Sequence, residues 1–355
     1  MTESAAEKDG MERARLRCEP ILPRVDRNRR RLTAFLIAYV TLSSVLVATA
    51  LVGGVYLAMA LVAIRVGGSA AAAPLAWFTI RLPIFIGVTW IACAIAFGLW
   101  CLRVMGRPET ALLERLNAVR ADRGQYQRAK SCLHDAAIAA GMPLPRLAII
   151  ADGSLNAFVV ARTPTTACVG ITDGLFEALT ADELRCVFAH LVARIRDGSA
   201  RTATVLADIF DAAAAAGRTG DLLMEENSVD EGDGIGSAYA KQVFSPAIVV
   251  YGTTRLCLAL TAMIILPGYQ RAQAVTAECA DSEGMLLAKD PRGMIQALEK
   301  VLPADNRPGD VMGPRFREDI FGALFFAWPT WSFADDPELV RIARLREVLG
   351  AEGAA

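Results

Sequence analysis

Residues 179–199 read LTADELRCVFAHLVARIRDGS, and the rest of the chain is placed by what this stretch has to be. Thr180 followed by Glu183 is a capping box: the threonine hydroxyl accepts from the third helical N–H, and the glutamate returns to the N–H of the cap. A helix therefore begins at Thr180, and Gly198 stands where it can end. Cys186, His190 and Arg194 follow one another at steps of four, so a thiol, an imidazole and a guanidinium share one face.

Outward from this helix the chain turns extended. Leu147 to Ile150, residues 156–161 and residues 167–171 predict three short strands with tight connections, one of them a turn at Asp152-Gly153. Thr172-Asp173-Gly174 breaks the sheet ahead of a short helix at 175–179. Residues 108–140 read as a helix of mixed charge, stopped at Gly141 with Pro143 and Pro145 behind it. His134 sits there beside Asp135, with no second ligand at a useful spacing, and reads as a solvated or half-buried histidine.

On the other side, residues 200–216 are rich in alanine but carry Asp208 and Asp211. Each aspartate would cost about 2.5–3.5 kcal/mol at the centre of a membrane helix, so the segment reads as membrane-associated. Residues 219–237 hold Asp221, Glu225, Glu226, Asp230, Glu231 and Asp233 without a basic residue, which predicts a solvated acidic loop. Residues 245–269 form a further span candidate interrupted only by Arg255, and helices are expected over 271–288, 291–301 and, basic and amphipathic, 337–349.

The chain has 355 residues, of which 54% are hydrophobic and 21% charged, too apolar a balance for an average soluble protein. A net charge of −1 and the lack of a glycine-rich phosphate loop give no reason to expect nucleic acid as a partner. The eight cysteines form no C-x-x-C pair and read as buried thiols in a reducing compartment. Arg24, Arg27, Arg29, Arg30 and Arg31 directly precede an uncharged run over 32–64, and a second apolar run covers 82–102. A bilayer core needs about 20 apolar residues, so both runs are long enough to span.

Basic residues outside this hairpin outnumber Arg65 and Arg81 within it, which places both its ends in the cytoplasm of an inner-membrane, multi-pass protein with the lipid bilayer as its first partner. The expected organisation is a basic segment at 1–31, a transmembrane hairpin at 32–102, a first part of a soluble domain at 103–199, membrane-associated helices at 200–269 and a second part at 270–355. The fold class is mainly α with a small β-sheet, an α+β domain on a helical membrane anchor.

Several stretches in this order resemble the HtpX-type membrane zinc metallopeptidases, relatives of the CAAX prenyl proteases. They are AIAAGMPLPRLAII at 137–150, Asn156-Ala157-Phe158, GITDGLFEALTADEL at 170–184, AHLVARIRDG at 189–198, Glu278-Cys279-Ala280-Asp281, and RIARLR from Arg341. The resemblance covers roughly residues 108–346 and implies a gluzincin-like domain that uses zinc. In that family His-Glu-x-x-His supplies two imidazoles on one helical face and a glutamate that activates the metal-bound water. Here the five positions read His190-Leu191-Val192-Ala193-Arg194, so the first ligand stays, the general base is replaced by Leu191 and the second ligand by Arg194.

Aligning Ala280-Asp281 with the family's Ala-Asp pair puts Ala277 at the third ligand position and Glu278 one residue late, about 100° around the helix. The family's Thr-His-Pro element has no match, since Ala334-Asp335-Asp336-Pro337 stands in its place. Asn156, Ala157 and Phe158 match the edge strand that lies beside the substrate in the family, and are the groove candidates.

No catalytic residue and no bound cofactor are therefore expected. The chain reads as a pseudopeptidase acting as a binding or regulatory module for a peptide or a membrane protein. The alternatives are a metal site rebuilt from His190 with Cys186, Cys279 or Glu278, and a purely structural membrane assembly partner. Arg194 is expected to stand in for the missing cation by pairing with Asp281 or Glu278, the alternative being that it reaches out to solvent.

Overall fold

Long apolar stretches become long helices because only a helix satisfies its own backbone away from water. The computed structural model describes residues 20–66, 69–121, 124–226, 246–302, 321–327 and 337–349. It opens with α1 (Ile21–Val66) and α2 (Ser69–Met105). Within them Ile21–Arg65 and Ala73–Met105 are long and apolar enough to cross a membrane. The first run is helix throughout, passing through Gly53-Gly54 without a break, and most of the stretch between Arg65 and Arg81, which precedes the second apolar run, is already the start of α2. Alanine, the strongest helix former, fills positions 70–73 and explains that early start.

The next elements are α3 (Glu109–Arg115), β1 (Val119–Arg120), α4 (Gln127–Ala140), β2 (Arg146–Ile150), β3 (Ala157–Val160), β4 (Cys168–Thr172), α5 (Asp173–Ala178) and α6 (Ala181–Arg196). Then come α7 (Ser199–Glu226), α8 (Pro246–Ala288), α9 (Pro291–Val301) and, after a 3-10 turn at Gly322–Leu324, α10 (Pro337–Leu349). The single helix expected over 108–140 is two, because Asn117 takes a left-handed φ of 49° and the chain crosses to pair as β1. The acidic stretch is also corrected at its start. Residues 219–226 continue α7, since Leu222, Leu223, Met224, Glu225 and Glu226 all favour helix whatever their charge; residues 227–237 lie outside the described residues. Likewise the span candidate and the following helix merge into α8 across Pro267, whose cost is one backbone hydrogen bond and a local bend.

The chain divides into two compact units. One comprises Thr33–Gly106 with Ile209–Pro267. Inside it Tyr39 is buried, edge-on to Phe210 at 5.7 Å and stacked at 6.3 Å on Trp100. Trp90 Nε1 donates to Ser44 Oγ at 3.1 Å, a hydrogen bond between helices of the kind that holds apolar bundles together.

The other unit comprises Met1–Leu32, Arg107–Asp208 and Gly268–Ala355. Its sheet has the order β1-β2-β4-β3. β4 runs parallel to β2 and antiparallel to β3, with Ile149 opposite Ile171 and Phe158 opposite Gly170. Gly170 is required there, since a Cβ at that position would fall 2.0 Å from the Phe158 ring. β3 is thus an edge strand, and α6 packs against it.

α4 and α9 also pack on α6, around a core that includes Leu133, Val169, Ile171, Val187, Leu191 and Leu298. The capping box at Thr180 and Glu183 is present, and Gly141 closes α4 in the left-handed conformation, both as the sequence predicts. The first turns of α1 belong to this unit. Asn28 Nδ2 donates to Asp197 O at 2.9 Å, and Arg24 is paired with Glu283, which also meets Arg196 at 3.2 Å.

Candidate functional site

α6 and α8 approach closely where the site is built. A Cβ on Gly284 would stand 2.8 Å from His190 N and 2.9 Å from its Cα, so the crossing needs glycine on α8. Gly284→Ala is expected to lower stability by about 1–3 kcal/mol through this overlap. Gly53→Ala, at a helical position with nothing within 4 Å, is the control, expected to be neutral or slightly stabilising in the same denaturation experiment.

His190 is fully buried, and its Nδ1 lies 2.7 Å from Asp281 Oδ1. The approach is off the N–H direction, so the contact is chiefly one of charge and dipole, and neither ring nitrogen has an aligned hydrogen-bond partner. The Phe326 ring stands edge-on to the imidazole at 4.8 Å. Burial is the main reason the imidazole falls from its ordinary 6.5 to about 4, with Asp281 opposing and Arg341 and Arg194 assisting. Asp281 is itself buried, which alone would raise its carboxyl. Arg341 outweighs this by donating from Nε at 2.7 Å and from Nη2 at 2.8 Å, and with His190 it holds the group down at about 2.

The partner of Asp281 is therefore Arg341 and not Arg194, which corrects the expectation from the sequence. Glu278 is taken as well, by Arg344. Nor does Arg194 reach solvent. It is 3% exposed and turns to backbone carbonyls, donating from Nη1 to Phe325 O at 3.1 Å and from Nη2 to Ala323 O. Those carbonyls belong to residues 321–327, which lie along the edge strand β3. Phe325 forms an antiparallel bridge with Phe158, Phe326 N–H donates to Ala157 O at 2.7 Å, and Arg341 Nη1 donates to Phe326 O at 2.9 Å. Asn156 holds Ala327 from both sides, Nδ2 donating to its O at 2.6 Å and Oδ1 accepting from its N–H at 3.3 Å. Phe321, Leu324, Phe325 and Phe326 are all buried, each side chain contributing about 1.5–3 kcal/mol.

Of the residues read from the sequence, His190, Arg194 and Asp281 come together here with Asn156, Ala157 and Phe158. Leu191, which the resemblance would set at the general-base position, is a fully buried member of the core. Ala277 is half-buried on α8, as is Cys279. The Cys186 thiol is directed to Asp290 O at 3.4 Å, and burial first, then Asp290, pushes it up to about 12. Among the described residues no cluster of three or more histidine, cysteine, aspartate or glutamate side chains is placed to hold a metal ion.

A zinc ion takes thiolate, neutral imidazole or carboxylate donors. This position offers one imidazole, a carboxylate already held bidentately and two guanidiniums, a set that does not fit the metal. Arg341 and Phe326 were missed as site residues. Arg341 had a signal, because it opens the RIARLR stretch; residues 321–327, FGALFFA, carry no motif at all.

The profile of Peptidase family M48 matches residues 124–349. A relative named Protease HtpX homolog from Streptococcus equi subsp. equi is 29% identical over 170 residues, 48% of this chain and 55% of the relative. The one from Streptococcus uberis is 28% identical over 225 residues, 61% of this chain and 71% of the relative. The one from Streptococcus pyogenes serotype M5 is 30% identical over 174 residues, with 48% and 55% covered. The chain spans about half the length of the first of these relatives. No solved structure matches it.

Proposed function

We infer that this chain, which belongs to peptidase family M48 and is HtpX-like, is a membrane-anchored pseudopeptidase: it does not hydrolyse peptides and acts as a binding or regulatory module. One observation carries the reading. The side chain four residues after His190 is a buried guanidinium that donates to backbone carbonyls, where the family's chemistry asks for a second imidazole. A metal in such a site supplies an activated water and a Lewis acid for the substrate carbonyl. The chain retains a group that can polarise a carbonyl, Arg194, but Leu191 is an alkyl core residue and can take no proton from water.

The apolar helices α1 and α2 support an anchor in the inner membrane, crossed more than once, with the peptidase-like unit in the cytoplasm as the arginine bias requires. The lipid bilayer is then its first partner and a peptide or membrane protein its second. The purified full chain is expected to leave casein intact with or without added zinc. Chelator-sensitive cleavage that disappears in His190→Ala would overturn the reading.

A further inference from the structure

Residues 322–327 lie on β3 the way an added peptide lies on the edge of a receptor sheet. An edge cover needs ladder bonds alone. Here the backbone is met group by group, and mostly by side chains from three different elements. Phe325 O is held by Arg194, Phe326 N–H by Ala157 O, Phe326 O by Arg341, and both polar groups of Ala327 by the Asn156 amide.

The two sides of one amide are clamped most closely. Its carbonyl, from Phe325, rests on the guanidinium that replaces the second metal ligand, and its N–H, from Phe326, rests on the edge strand. The Phe326 side chain lies against His190. A metallopeptidase must orient a scissile amide in this manner, carbonyl on the cation and N–H on the edge.

We propose that residues 322–327 are the ligand of this groove, a segment of the chain's own whose end is held as a peptide substrate would be held, with the Phe325–Phe326 bond at the position of hydrolysis. Arg194 polarises the carbonyl and brings no hydroxide, so the bond stays intact. The proposal rests on the reading that the chain does not hydrolyse peptides, and it names the occupant of that same site. A peptide partner from outside consequently enters this groove only by displacing residues 322–327.

Two measurements on the full chain in detergent test this. In hydrogen exchange, the amides of Phe325, Phe326 and Ala327 are expected to be protected in the wild type. Asn156→Ala is expected to speed exchange of the Ala327 amide about tenfold, with α4 unchanged. Free exchange of these amides in the wild type overturns the proposal, as does an unaltered rate in Asn156→Ala. The second probe is a fluorescein-labelled FGALFFA peptide. It is expected not to bind the wild type but to bind Phe326→Pro, which lacks the N–H that meets Ala157 while keeping Asn156, Arg194 and Arg341. Adding Arg194→Ala is expected to abolish that binding. Equal binding by the wild type overturns the proposal, as does a folded Phe326→Pro that binds nothing. If Phe326→Pro does not fold, the exchange measurement decides alone. Casein hydrolysis by the wild type would sink the parent reading without altering the exchange pattern, so the two failures are distinguishable.

Discussion

Arg341→Met is expected to destabilise the peptidase-like unit by about 3–5 kcal/mol, because it strands a buried carboxylate. Asp281 is 1% exposed and its two oxygens are held by Nε and Nη2 of Arg341 at 2.7 and 2.8 Å. Without the guanidinium, the imidazole of His190 is the contact that remains to it among the described residues, and Phe326 O loses its donor too. Asp281→Leu in the same background removes the stranded charge, and the double variant is expected to recover much of the loss. Denaturant titration of the single and double variants checks both statements; a single variant within about 1 kcal/mol of wild type would show that the pair does not bear on stability.

Acid is expected to act through His190. Its folded value, lowered by burial to about 4, lies below the ordinary 6.5, so between these limits the unfolded chain binds a proton that the folded chain refuses. Stability is therefore full above 6.5 and falls as the pH drops towards about 4, by roughly 3 kcal/mol in total. Asp281, depressed by Arg341 against its burial, has the usual carboxylate sign. Its contribution is present above 3.8 and is lost only further down, towards about 2. Asp197 runs the other way, since burial raises its carboxyl. It is common to wild type and His190→Phe, so the difference between their stability curves from pH 7 to pH 4 isolates the imidazole. Parallel curves would rule out a buried neutral His190.

Much of the scaffold is legible in the sequence because its signals are local. A capping box at Thr180 and Glu183, a left-handed glycine at Gly141 and three short apolar runs need only their neighbours to be read. β1 is illegible because two residues carry no period, and the helical start of residues 219–237 is masked by its acidic charge, which does not oppose helix propensity. Within the site, the alkyl side chain of Leu191 next to His190 is visible in the sequence alone. Which cation meets Asp281 is not, since Arg341 and Arg194 stand 60 and 87 residues away and nothing local separates them. The segment at residues 322–327 is illegible for a simpler reason. Its fixing groups are its own backbone atoms, which every sequence possesses.

The pairing of Arg24 with Glu283 joins residues 259 positions apart, and Asn28 meets Asp197 across 169. At roughly 5–20 residues per second on the ribosome, the first turns of α1 are made about 10–50 s before Glu283 exists. During that interval the guanidinium of Arg24 is without the carboxylate that it meets in the folded unit. Arg24 therefore enters its buried pair late in synthesis, long after the rest of α1 has been made. The packing of the first turns of α1 into this unit is accordingly completed only once Glu283 exists, and a chain truncated before Glu283 would keep the Asn28 contact with Asp197 yet lack the carboxylate that Arg24 meets.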